Sequence, residues 1–218
     1  MIDLSQAVKE YVIGTYVITF VYRCQEEGKT LRYISMRPLS PYDAEFLKTM
    51  VETPLDWSFD KDSGTVKLWP RNIKEKIGRD IEKAIITHLF RIVPEIRKEL
   101  SEDSIIEKLV ERDWLVSKQN KVIVCRKPLE SNGHEGYLEV FLEGNEAWYM
   151  VRVKVRVIES NFNKYQHMKM RLREMFEGKM IEQYPFLTLE FNLGEYIAPE
   201  LLKKLDEIYE TLRGVVFG

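Results

Sequence analysis

Three histidines and two cysteines are the side chains in this sequence best suited to hold a metal or attack an electrophile, and their spacing argues against both. His88 falls beside the apolar stripe of a helical stretch and reads as a boundary residue. His134 sits in a loop next to Glu135, and His167 lies in a basic helix. No pair has zinc-ligand spacing, in which donors stand about two to five residues apart. Cys24 and Cys125 form no C-x-x-C pattern and read as reduced thiols within strands. Asp60-x-Asp62 resembles the start of a calcium loop, but Gly64 comes one residue early and Arg71 stands where the closing glutamate belongs. No nucleophile elbow, phosphate loop or dinucleotide fingerprint occurs. The expected catalytic set is therefore empty, with no metal and no cofactor. An enzyme with an unrecognised carboxylate or histidine site ranks behind the binding readings below.

Binding chemistry is concentrated in one hairpin, Tyr137 to Ile158. Glu143-Gly144-Asn145-Glu146 is a two-residue turn signal, because Gly and Asn tolerate positive φ. That turn predicts Phe141 opposite Trp148, Glu139 opposite Met150 and Tyr137 opposite Arg152. Alternation sends Leu138, Val140, Leu142, Tyr149, Val151, Val153, Val155 and Val157 to the core. The other face then displays Tyr137, Phe141, Trp148, Met150, Arg152, Lys154 and Arg156, the candidate partner-binding residues. Between Val151 and Lys179 eight Lys and Arg stand against three Glu, about +5 in a chain of net charge -2.

Such a face suits a protein or peptide partner, since Trp, Tyr, Met and Arg are enriched at interfaces. It also suits single-stranded nucleic acid, with rings stacking on bases and cations neutralising phosphates. A purely structural arrangement satisfies the same residues: a helix covering Phe141, Trp148 and Met150, with the cations ion-paired to glutamates.

The elements that must position this face recur along the chain. The pattern predicts a hairpin over Thr15 to Arg37, a helix over Pro41 to Glu52 with Phe46, Leu47 and Met50 on its apolar face, and a strand pair ending at Trp69. A long helix follows from Asn72, with Ile73, Ile77, Ile81, Ile85, Leu89 and Ile92 at helical spacing. The second half repeats the order: hairpin, helix Phe162 to Phe176, strand Phe186 to Phe191, helix Pro199 to Leu212. Matching elements lie roughly 120 to 124 residues apart. A short opening helix is expected over Leu4 to Tyr11, and Val122 to Cys125 reads as an extra strand without a first-half counterpart. Pro94 to Gln119 joins the halves. The expected fold is α+β, two tandem small units (1-100 and 101-218), each an antiparallel sheet packed against helices.

Composition agrees with a folded protein. Of 218 residues 44% are hydrophobic and 11% aromatic, enough for two small cores. The 31% charged residues, 33 basic against 35 acidic, resemble the ion-pair-rich composition of thermophile proteins. The longest apolar run, Tyr11 to Tyr22, is too short to span a bilayer, and the first residues lack a basic leader. A cytoplasmic protein without membrane contact is the expectation.

Three segments resemble the type III secretion chaperone-like fold, including its bacterial sensory-regulator branch. They are AEFLKTMVETPLDWSFDKDSGTVKLWP, IIEKLVERDWLVSKQNKVIVCRKP and FLTLEFNLGEYIAPELLKKLDEIYETL, which are spread over both tandem units and hold 78 of the 218 residues. EGKMIEQYPFLTLEF departs from the first-half pattern by lacking an acidic-Gly turn. The resemblance implies a non-enzymatic protein that dimerises or cradles segments of other proteins, and it supplies no catalytic residues. The combined expectation is a protein- or peptide-binding module, chaperone-like or regulatory, with self-association and nucleic acid as the other options.

Overall fold

The computed structural model describes residues 6–25, 28–43, 45, 55–70, 73–129 and 135–217. Most of the expected helix Pro41 to Glu52, with Phe46, Leu47 and Met50, lies outside these residues, as does His134. Its start is visible: residues 41–43 are helical, and the Ser40 hydroxyl accepts a hydrogen bond from the Asp43 N–H at 3.1 Å. The chain forms two compact units, Met1–Leu100 and Ser101–Gly218. Both are α+β with an antiparallel sheet.

The first unit runs β1 (Gln6–Ile13), β2 (Tyr16–Gln25), β3 (Gly28–Arg37), β4 (Leu55–Asp60), β5 (Thr65–Pro70), β6 (Ile73–Lys74), α1 (Glu75–Ile92) and α2 (Pro94–Glu99). Its sheet order is β1-β2-β3-β5-β4, with β6 also on β3. The expected opening helix is instead strand β1. Tyr11 and Ile13 alternate into the core, and Gly14 at φ +59° closes a tight turn that sets Ile13 opposite Tyr16. Ile18, Phe20, Ile34, Met36, Val66 and Leu68 complete the inner sheet face, and Ile81, Ile85, Ile86 and Leu89 of α1 are buried as well. Burying each such side chain is worth about 1.5–3 kcal/mol relative to exposure.

One polar group enters this core. Glu82, 4% exposed, accepts hydrogen bonds from the Tyr11 hydroxyl at 2.9 Å, the Tyr22 hydroxyl and Lys9 Nζ at 2.9 Å. It ties α1 to β1 and β2.

The second unit runs α3 (Glu102–Val110), β7 (Leu115–Gln119), β8 (Val122–Pro128), β9 (Glu135–Asn145), β10 (Trp148–Ile158), α4 (Phe162–Met175), β11 (Lys179–Gln183), β12 (Phe186–Tyr196) and α5 (Ala198–Phe217). Its sheet order is β7-β8-β9-β10-β12-β11. Ser101 caps α3 by accepting from the Ser104 N–H at 3.2 Å, and Asn161 caps α4 by accepting from the Lys164 N–H at 3.1 Å. The core joins Leu138, Val140, Leu142 and the Val151–Val157 alternation to Ile105, Leu109, Leu172, Leu201, Leu205 and Leu212.

The two sheets share one connectivity. Three successive antiparallel strands (β1-β2-β3, β8-β9-β10) are followed by a hairpin whose second strand joins the third (β5, β12). The strand at Val122 therefore has a first-half counterpart after all: it is β1, which the sequence disguised as a helix. The strand unique to the second unit is β7. The segment EGKMIEQYPFLTLEF does form a hairpin, β11-β12, turning at Tyr184-Pro185 instead of at an acidic-Gly turn. Among the described residues, no helix is long and apolar enough to cross a membrane.

Candidate functional site

The hairpin carrying the candidate residues turns two residues later than Gly144-Asn145 suggests. Asn145 pairs with Trp148, the turn residues are Glu146 and Ala147, and Glu146 takes φ +55°. Phe141 consequently faces Arg152, Glu143 faces Met150, Glu139 faces Lys154 and Tyr137 faces Arg156. Every partner moves by four residues, an even number, so each side chain keeps its face. Gly144 serves another purpose: a Cβ there would lie 3.3 Å from the Tyr149 ring, whose close approach it permits.

Residues 149–157 alternate strictly, odd positions buried and even positions outward. Trp148 breaks the pattern. It is 7% exposed and belongs to the interior, which removes it from the open face. Met150 is 43% exposed, and Tyr137 and Phe141 are half-buried. The same face gains Lys179 and Ile181 from β11 and Phe186, Thr188, Glu190 and Asn192 from β12, through the pairings Lys179 with Glu190, Ile181 with Thr188, Glu190 with Lys154 and Phe186 with Ile158. Ile181 and Phe186 are 44% and 52% exposed. Sequence reading missed β11 residues because no periodic signal marks so short a strand.

One row of this face is a charge ladder. Lys179, Glu190, Lys154, Glu139 and Arg126 are successive register partners across β11, β12, β10, β9 and β8, alternating in sign. Lys154 Nζ lies 2.9 Å from Glu190, and Arg126 donates to Glu139 at 2.6 Å. Glu139 is 9% exposed. The hydrogen bond from Lys154, with the charges of Lys154, Lys179 and Arg156, holds the Glu190 carboxyl below its ordinary range. Rings are capped by cations: Arg152 lies 5.6 Å from the Phe141 centroid, and Arg126 and Arg156 lie 4.7 and 5.8 Å from that of Tyr137. Arg156 also donates to the Tyr137 hydroxyl at 2.9 Å.

On α4, Lys169 and Arg173 pair with Glu182 of β11. The local excess of positive charge in the sequence is thus partly cancelled by Glu182 and Glu190, which follow just after it.

Beside the ladder is an open concavity of about 380 Å³, bordered by Phe141, Arg152, Lys154, Lys179, Glu190 and Asn192. A bulge shapes it: Val151 pairs with Gly194 and Arg152 with Asn192, leaving Leu193 as the extra residue, with Gly194 at φ +95°.

The residues weighed for chemistry do not converge. His88 is 6% exposed on α1, and burial followed by the Arg91 charge lowers its pKa. His167 is exposed on α4. Burial pushes the Cys125 thiol up to about 12. Among the described residues, no three His, Cys, Asp or Glu side chains group as metal ligands. No protein-family model, curated protein or solved structure matches the chain, so no residue role is carried over from a relative.

Proposed function

We propose that the chain is a non-enzymatic protein- or peptide-binding module whose second sheet receives an acidic segment carrying an apolar side chain. The observation that carries this reading is the open concavity at Phe141, where Arg152, Lys154 and Lys179 stand against the single carboxylate of Glu190. Lys154 is already engaged by Glu190, so a partner carboxylate would sit between Arg152 and Lys179. Its apolar neighbour would cover Phe141 and Met150 and displace water from them. The sequence resemblance to the type III secretion chaperone-like fold, whose members cradle segments of other proteins, points the same way.

Nucleic acid is less well served by this face. Base stacking needs open ring faces, and those of Phe141 and Tyr137 are already occupied by guanidinium groups.

Selection from a displayed random peptide pool tests the reading. Peptides with Asp or Glu beside an apolar residue should be enriched, and Arg152→Glu with Lys179→Glu should abolish their binding. No enrichment would refute the proposal. So would binding of mixed-sequence single-stranded RNA that weakens steeply with salt and is lost in the same variant, since counterion release marks phosphate contacts.

A further inference from the structure

We propose that the outer face of the first sheet is a separate binding site for a small phosphorylated, hydroxyl-bearing ligand of the sugar-phosphate class. The register builds it. Thr19 pairs with Ser35, Ser35 with Lys67 and Lys67 with Ser58, one row across β2, β3, β5 and β4. Arg37 pairs with Val17 and Thr65 with Asp60 in the adjoining row. These residues line an open concavity of about 490 Å³, a volume suited to a small-molecule ligand.

Arg37 stands two residues from Ser35 on the same face and is diagonal to Lys67, at about 7–8 Å. Two side chains of that length can meet on one tetrahedral oxyanion, the guanidinium through paired N–H groups. Among the described residues neither Arg37 nor Lys67 takes part in an ion pair, in contrast to Lys154 and Arg126 on the second sheet. Ser35 stands beside both, and Thr19 and Ser58 flank them on β2 and β4, the Thr19 hydroxyl donating to Glu10 of β1 at 3.4 Å.

The Glu10 carboxylate stands at the rim beside Thr19, while Asp60 lines this concavity and its placement gives it a role. The Ser63 hydroxyl donates to it at 2.6 Å and the Asp62 N–H at 3.0 Å, fixing the carboxylate in the β4-β5 turn. These bonds, the Ser63 one foremost, together with the nearby Lys67 charge hold its carboxyl below the ordinary range, so it is ionised at neutral pH. A fixed carboxylate repels bare phosphate and accepts hydrogen bonds from ligand hydroxyls. The Ser63 hydroxyl also lies 2.7 Å from that of Thr65, which continues the polar lining. Two cations for the phosphate, with the carboxylates of Asp60 and Glu10 at the edges for hydroxyl groups, make a sugar phosphate a better match than phosphate or sugar alone.

The test is an amide chemical-shift titration of the full chain at constant ionic strength with glucose 6-phosphate, inorganic phosphate and glucose as probes. Glucose 6-phosphate should give saturable shifts at residues 33–37 and 65–67. Inorganic phosphate should saturate at higher concentration, and glucose should give none. The Arg37→Glu, Lys67→Glu double variant changes two exposed side chains, so its remaining spectrum should be unaltered while the shifts vanish. No saturable shifts with glucose 6-phosphate overturns the proposal. Shifts that persist in the double variant, or equal shifts from glucose, also overturn it.

Discussion

Removing the carboxylate of Glu82 should destabilise the first unit through its hydroxyl partners more than through its charge. Tyr11 and Tyr22 are 1% and 5% exposed, and both donate to Glu82. Tyr11→Phe deletes one hydrogen bond to an ionised acceptor while keeping the ring, which packs edge-on against Phe20 at 5.8 Å. Its expected cost is about 2 kcal/mol, or about 8–16 °C on a unit of this size. Glu82→Leu takes the acceptor from both hydroxyls at once. At about 1–3 kcal/mol for each buried hydroxyl deprived of it, the loss is about 2–6 kcal/mol. Lys9 adds little, since its side chain is 46% exposed and rehydrates. Glu82→Gln keeps one acceptor oxygen and should fall between.

The assay is hydrogen exchange with mass spectrometry at pH 7 in rising urea. It follows peptides from residues 6–25 and 75–99 separately from residues 135–196. The coupling gives the sharper readout. In a Glu82→Leu background, Tyr11→Phe should cost less than in the wild type, because the hydroxyl it removes has already lost this acceptor, and the difference is the coupling a double-mutant cycle reads. A cost for Tyr11→Phe that is the same in both backgrounds would refute the account of Glu82 as the anchor between α1 and the β1-β2 hairpin.

Two further outcomes follow from local geometry. With its thiol pushed up to about 12, Cys125 should hold only about 10⁻⁴ of its population as thiolate at pH 8, so a disulfide reagent should label half-buried Cys24 first. Both thiols should react together in denaturant; rapid native labelling of Cys125 would contradict its burial. Gly178→Ala places a Cβ 2.5 Å from the Glu190 carbonyl oxygen and should cost about 1–3 kcal/mol, seen as lost exchange protection in β11. Gly144→Ala meets only the edge of the Tyr149 ring, at 3.3 Å, and should cost less; the reverse ranking would show that the β11-β12 approach is not tight.

The inner faces were legible in the sequence because burial writes a period into it. The alternation of Val151, Val153, Val155 and Val157 and the helical stripe Ile81, Ile85, Leu89 mark residues that are all buried. Alternation was misleading beside the turn, where Ala147, Trp148 and Tyr149 are all buried in succession. Gly144 drew the turn toward itself in the sequence because a glycine needed for close packing looks the same as one needed for positive φ. β1 was lost because its outward residues include apolar Val8 and Val12, 62% and 52% exposed, which blur the period of two. Charge was the least legible property. Counting cations from Val151 to Lys179 misses Glu139, Glu182 and Glu190, which reach those cations only through strand pairing and helix packing.

The two sheets share a connectivity and bury apolar inner faces, so the proposed binding properties rest on the outer ones. On the second sheet, five alternating charges staple neighbouring strands, each pair worth about 0.2–1 kcal/mol. An incoming carboxylate between Arg152 and Lys179 would compete with Glu190 for Lys179, and exchanging one acceptor for another gains little. Net affinity must therefore come from apolar contact with Phe141, Met150 and the exposed Ile181 and Phe186. Charge then sets which partner is admitted, and apolar area sets how tightly it stays. On the first sheet, Arg37 and Lys67 form no such ladder, with the Asp60 charge near Lys67, so the proposed oxyanion would displace fewer partners. If both proposals hold, high-salt conditions should weaken ligand capture on the first sheet far more than on the second.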